Sequence, residues 1–388
     1  MGTSQSVTLT GCPEAVPFKL RSMENESGTV RILWLFIVLI SCAACGFASD
    51  LPLPQPVATL GLPAIHPSGQ GESAWATVAF SSEASIAVGL CRQDCTNKEC
   101  SLFLVRWEGG TLRTFAQTPK FDSGVSIHPA SEGQILTVRS LPPNVLYSAD
   151  LFTSRDLPTP LSRVSPSGRT VAEIARGSWK LYRLTDRLEA LREGTGDLRS
   201  LSDEVVVIQD GKAMKVETLD GRRLGSFSVS DEVSGFHAAL LGNNKLYLAD
   251  CRRRVRVVDF DGRTQLEMHL GGGCSQGNQS STNGRRMLFD TLSYKASGLQ
   301  NVLDNVRTIT TLGMTGAEDA NREEVRVVDT ATGKTCFDWH RSFPMTPNQV
   351  SSAAISPSGE FVAIATGNTL SIYQLPAVCG ASTTPSDK

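Results

Sequence analysis

SPSGEFVAIATGNTLSIYQLP, residues 356–376, stands close to the end of this 388-residue chain. The polar turn Ser356-Pro357-Ser358-Gly359 leads into a strand-like run in which Val362, Ala363, Ile364 and Ala365 are all apolar. Successive residues of a strand point to opposite faces, so this run needs cover on both sides. A turn at Gly367-Asn368 then leads to one more strand-like segment, after which the pattern stops. The phrase has a near copy at 165–184, SPSGRTVAEIARGSWKLYRL, and that copy is followed by a further strand-like segment. The last copy is therefore one strand short.

The phrase belongs to a repeat. VRVVDFDGRTQLEM (255–268) and VRVVDTATGKTCFD (325–338) are nearly the same strand–turn–strand unit, with looser copies at 104–115, 180–191 and 216–227. A polar turn and an apolar strand precede each unit, about seven times in all, roughly 35 to 50 residues apart with one gap of about 74. Four-stranded propeller blades recur at about 40–50 residues. The expected fold is all-β, a single seven-bladed β-propeller of four-stranded blades over residues 49–379, followed by a short tail at 380–388. Residues 57–60, a short apolar run, are the natural outer strand for the incomplete last blade.

The S-P-S-G turn ahead of an apolar strand, at 165–168 and 356–359, resembles the turn of bacterial propellers of the WD-repeat-like and YVTN groups. The resemblance covers about residues 57–379. Gly-His and Trp-Asp dipeptides are missing from the expected places, so the hydrogen-bonded tetrad of true WD repeats is not implied.

With strands A to D running up and down from the channel outward, the B–C and D–A connections share one face of the ring. The A–B and C–D turns share the other, and they are short throughout. The long segments fall on the first face: CRQDCTNKEC (91–100), RSLPPNVLYS (139–148), the stretch with Arg252, Arg253 and Arg254, GGGCSQGNQSS (271–281), and an insertion at about 293–322. In that insertion Leu299, Val302, Val306 and Ile309 recur at helical spacing. Function tends to sit on loops held by a rigid scaffold, which makes this face the expected binding surface for a protein partner or small ligand. Packing of the stripe on its own domain is the plainer reading of its spacing.

ILWLFIVLISCAACGFA (32–48) carries no charge, follows Arg31 and ends in small residues, as a secretory signal does. Met23 as the true start would give that signal its ordinary length. A lipobox at Leu39-Ile40-Ser41-Cys42 and a single uncleaved anchor are the alternatives. Each places the remainder outside the cytoplasm, in the periplasm or beyond, with membrane attachment only through the N-terminus or a lipid.

Seven of the ten cysteines follow this segment, and disulfides are the default in an exported chain. Strand parity makes Cys91–Cys100, Cys251–Cys274 and Cys336–Cys379 the economical pairs and leaves Cys95 as a free or redox thiol. Sequence spacing alone leaves other connectivities open. A metal site in C-x₃-C-x₄-C lacks a fourth ligand nearby.

No G-x-S-x-G, P-loop or H-E-x-x-H occurs. A formal net charge of −2 argues against a nucleic-acid partner. His128, Arg163, Arg199 and His237 fall on inner strands and are expected to line the channel. A channel-centred hydrolase or lactonase is thus the alternative to a binding scaffold, but the inner strands carry no carboxylate cluster, and no cofactor is expected.

Overall fold

Seven four-stranded antiparallel sheets follow one another along the chain. The computed structural model describes residues 6–7, 18–19, 54–63, 73–93, 98–108, 110–120, 125–139, 143–157, 159–185, 187–229, 237–242, 244–249, 254–269, 275–294, 321–343, 352–366 and 368–380. The chain divides into Met1–Leu53 and Pro54–Lys388. In the first unit Ser6–Val7 pairs antiparallel with Phe18–Lys19, and the apolar run 32–48 lies outside the described residues. Among the described residues no helix is long and apolar enough to cross a membrane.

In the second unit, blade 1 comprises Ser73–Ser82, Ser85–Gln93, Lys98–Glu108 and Thr111–Gln117, from inner to outer strand. Blade 2 is Val125–Pro129, Ile135–Arg139, Asn144–Tyr147 and Ser154–Leu157; blade 3 is Leu161–Val164, Thr170–Ala175, Ser178–Leu184 and Leu188–Thr195. Blade 4 is Asp197–Leu201, Val205–Asp210, Ala213–Thr218 and Arg223–Ser228; blade 5 is His237–Leu241, Lys245–Ala249, Arg254–Asp259 and Thr264–His269. Blade 6 is Ser275–Ser280, Arg286–Tyr294, Asn321–Asp329 and Thr335–Phe343.

Blade 7 takes Ser352–Ile355, Phe361–Thr366 and Thr369–Gln374 from the end of the chain and its outer strand, Ala58–Gly61, from the start. The register is Ala58↔Ile372, Thr59↔Ser371, Leu60↔Leu370 and Gly61↔Thr369. Val57 N–H and Leu62 N–H extend it, donating to Ile372 and Asn368 carbonyls at 2.8 Å. The strand missing from the repeat is thus supplied one residue later than the apolar run suggests.

The four consecutive apolar residues of blade 7 divide between two neighbours. Val362 and Ile364 pack into a cluster with Val325, Val327 and Phe337 of blade 6. Ala363 and Ala365 pack with Phe80, Ile86 and Val88 of blade 1. The small residues face the blade that presents large ones, and Phe361 meets Trp107 of blade 1 edge to face at 4.3 Å between ring centroids. Burying each Val or Ile contributes about 1.5–3 kcal/mol, so two covered faces make the second strands the main anchors of the ring.

The A–B turns join blade to blade. Ser165 and Ser167 of blade 3 donate from Oγ to the two carboxylate oxygens of Asp203 in blade 4, at 2.7 and 2.5 Å. Ser358 of blade 7 donates to Glu83 of blade 1, Oγ to Oε2 at 3.0 Å and its backbone N–H to Oε1 at 2.5 Å. Thr282 N–H of blade 6 donates to the Pro357 carbonyl of blade 7 at 2.9 Å. Gly168, at φ 71°, nests against blade 2, where a Cβ would collide with the Pro129 carbonyl. The glycine of this turn is required twice, by its left-handed backbone and by the neighbouring turn. Arg286 adds a buried clamp from blade 6 to blade 7, donating to the Gly359 carbonyl at 2.5 Å and to the Pro376 carbonyl.

Two disulfides are present among the described residues. Cys91 and Cys100 face each other directly in the ladder of blade 1, with Cα atoms 4.1 Å apart. Their hairpin runs two residues further than the cysteines suggest, to Gln93 and Lys98. Cys336 on the outer strand of blade 6 bonds to Cys379, past the third strand of blade 7, at 4.4 Å between Cα atoms.

Candidate functional site

The inner strands enclose a channel of about 430 Å³ to which all seven blades contribute. Its wall is mostly small or apolar, as at Ala238, Ala239 and Ser352, because seven strands converging on one axis leave little room for bulk. His128 and Arg163 occupy the same level on neighbouring blades. Each stands two residues before the position whose N–H closes the A–B turn, Ala130 to Gln134 in blade 2 and Ser165 to Thr170 in blade 3, both at 2.8 Å.

A bulge sets Arg199 apart. In blade 4, Leu198 pairs with Ile208 and Ser200 with Val207, so Arg199 is the extra residue between them. Bulges re-aim the side chain they carry. Here Nε donates to Gln209 Oε1 at 2.7 Å and Nη2 lies 3.0 Å from Asp197 Oδ2. Blade 3 has the same irregularity at the same distance from its A–B turn, at Ser162, so Arg163 stands one position past it, in the regular ladder opposite Ala172.

His128 Nε2 lies 3.1 Å from Ser126 Oγ, two residues back on the same face of the strand. The channel walls surround the ring, and burial pushes its pKa down to about 4. The imidazole is therefore neutral near pH 7. Burial also lowers the Arg163 guanidinium from its ordinary value; Asp197 opposes that shift and Arg199 adds to it. Arginine nevertheless stays charged in proteins.

Ser126 and His128 have the spacing of a nucleophile and base, but burial alone moves the His128 pKa and no described carboxylate holds its other nitrogen. A third, orienting group is what makes such a pair a triad. No carboxylate appears among the described residues lining the channel. Among the described residues no three His, Cys, Asp or Glu gather as a metal site.

His128, Arg163 and Arg199 stand among the described residues of the cavity wall. His237 opens the inner strand of blade 5, and Arg254 opens that blade's third strand. Cys95, Arg252, Arg253, Cys251, Cys274, Leu299, Val302, Val306 and Ile309 lie outside the described residues.

The repeat does not reveal the charged groups buried at the blade 6 end. Glu323, almost fully buried, pairs with Arg341 at 3.1 Å. Asp290 on the adjacent strand is pushed up to about 7, by burial first and by Glu323 second. The three fall on one face of the sheet by register, Asp290 opposite Val325 and Glu323 opposite Arg341. Their alternation with apolar residues in 286–294 and 321–329 is the one signal that could have drawn attention to them.

No protein-family description matches this chain, and no curated protein matches it. Among solved structures it is similar to the C-terminal WD40 domain of Sif2, at 11% identity and TM-score 0.47, with 84% of this chain and 100% of that one covered. Sqt1 from Chaetomium thermophilum bound to the N-terminus of the ribosomal protein L10 is similar at 10% identity and TM-score 0.47, with 83% and 100% covered. KlHsv2 with its loop 6CD replaced by a Gly-Ser linker is similar at 10% identity and TM-score 0.49, with 79% and 99% covered. The seven-bladed propeller itself rests on the seven sheets and their ring closure.

Proposed function

We propose that this chain is an exported binding scaffold that captures a protein partner or small ligand on the face carrying the B–C and D–A connections. The observation that carries the reading is the use made of the opposite face. There Ser165, Ser167 and Ser358 bond to the carboxylates of the next blade, and Gly168 and Gly284 nest against the previous one. Turns committed to neighbours have little left for a ligand. The long connection 295–320 joins the second strand to the third strand of blade 6, at the other end of the sheets, whereas 94–97, 140–143 and 250–253 are as short as the turns of the opposite face.

Export is supported by the uncharged run 32–48 and by the two disulfides, since disulfides persist in oxidising compartments. N-terminal sequencing of the secreted chain tests it, with cleavage after Ala48 as the expected result. The binding face is tested by replacing 295–320 with a short Gly-Ser linker and comparing the cross-linked partners of the two chains, identified by mass spectrometry. Loss of a specific partner supports the reading. An unchanged set removes the insertion from the binding surface.

A further inference from the structure

We propose that the central channel holds a small oxyanion, a carboxylate or phosphate group, on the Arg163 guanidinium. Among the described residues lining the channel, the charged ones are Arg163 and Arg199. Their circumstances differ. Arg199 is oriented by Gln209 at 2.7 Å and countered by Asp197 at 3.0 Å. Arg163 has no hydrogen bond or ion pair among the described residues and faces the channel. Among the described residues one carboxylate, Asp197, stands near two guanidinium groups, which leaves one positive charge in excess at the channel wall.

An arginine fork free of partners presents parallel N–H donors that match the two oxygens of a carboxylate or phosphate. The surroundings suit the same ligand. Ser126, Ser162 and Ser352 supply hydroxyls around the wall, and Gln279 supplies an amide. His128, at the level of Arg163 on the next blade, is neutral and offers a hydrogen bond without competing charge. A volume of about 430 Å³ accommodates a small organic anion with its first waters. Arg163 is exposed to the channel, so an anion entering it reaches the guanidinium directly.

The site uses inner strands alone and does not depend on the loop-face reading. Replacing 295–320 leaves it in place, and substituting Arg163 leaves the loop face in place, so the two fail separately.

Isothermal titration of the mature chain at low ionic strength, with inorganic phosphate in one arm and succinate in the other, tests the proposal. The expected result is saturable one-to-one binding in at least one arm, weakened tenfold or more by Arg163→Gln and partly kept by Arg163→Lys, which retains the charge but not the fork. Arg285→Gln serves as the control, because Arg285 is an exposed arginine of the A–B turn face. Thermal unfolding of each variant verifies the fold. No saturable heat up to about 10 mM of either anion, or equal binding by Arg163→Gln, overturns the proposal.

Discussion

Ser358 and Glu83 lie 275 residues apart and form the polar seam of the ring, hydroxyl to carboxylate at 3.0 Å. On the same seam Ala58 pairs with Ile372. The first and last blades are thus joined twice, by a strand shared at the rim and by a turn clasp near the channel.

Glu83→Ala and Ser358→Ala should each lower stability by about 1 kcal/mol, because the clasp is charge-assisted but exposed. The double variant should lose less than the sum. A double-mutant cycle by denaturant unfolding measures the coupling, and strict additivity would mean that the seam bond contributes nothing.

Asp203→Ala should cost more, about 2 kcal/mol, because it removes the acceptor of two hydroxyls, one of them on the buried Ser165. Asp203→Asn keeps an acceptor and should recover part of the loss. Equal midpoints for the two variants would show that the carboxylate oxygens are not what the serines need.

The two disulfides should differ in weight. The Cys336–Cys379 loop has a sequence separation of 43 and the Cys91–Cys100 loop one of 9. Loop-closure entropy gives about 4 kcal/mol for the longer and about 2.6 kcal/mol for the shorter. Paired Cys→Ser variants compared by thermal unfolding should rank in that order.

Removal of residues 51–61 should destabilise the whole ring, not merely trim a loose end. It unpairs the edge of Thr369–Gln374 and uncovers Leu370 and Ile372, both fully buried. An open strand edge is a template for association. The expected outcome is a lower melting temperature with oligomers in size-exclusion chromatography; a monomer of unchanged stability would rule out the closure role.

Stability should fall as pH rises from about 6.5 to 8; between 4 and 6.5 the gain from His128, whose folded pKa of about 4 lies below its ordinary 6.5, offsets the loss from Asp290. The folded Asp290 pKa, about 7, lies above its ordinary value of 3.8. At this group the native state therefore holds more protons than the unfolded state between these values, and its contribution to the slope of stability with pH is negative. The contribution is complete below pH 3.8 and lost as pH passes through about 7. Asp290→Asn should remove the fall above pH 6.5, leave the His128 rise below it, and stabilise the protein at pH 8 by about 2 kcal/mol, less than the full shift implies because the side chain is only half-buried. An identical pH profile in the variant would rule out Asp290 as the titrating group.

The fold was legible because its determinants are local and repeated. Four apolar residues in a row, 362–365, demand two covered faces, and the recurrence of such strands at blade spacing leaves a ring as the way to cover them all. The missing outer strand of the last copy pointed to the apolar run at the start. Strand parity likewise placed Cys91 opposite Cys100, because a hairpin ladder fixes which residues face each other.

The polar contacts between blades were not legible. That Ser358 reaches Glu83, and Ser165 reaches Asp203, depends on the angle at which adjacent sheets pack, which no local pattern records. The channel was legible only in part: the inner strands identify Arg163 and Arg199, but a one-residue bulge decides which of them turns to Asp197 and which is left facing the cavity. By itself the sequence determined the ring, its closure and the strands that line the channel, since these follow from periodicity and burial. The tertiary structure alone decided which charges meet and which stay without a partner, since electrostatic pairing depends on distances of a few ångströms between elements far apart in the chain.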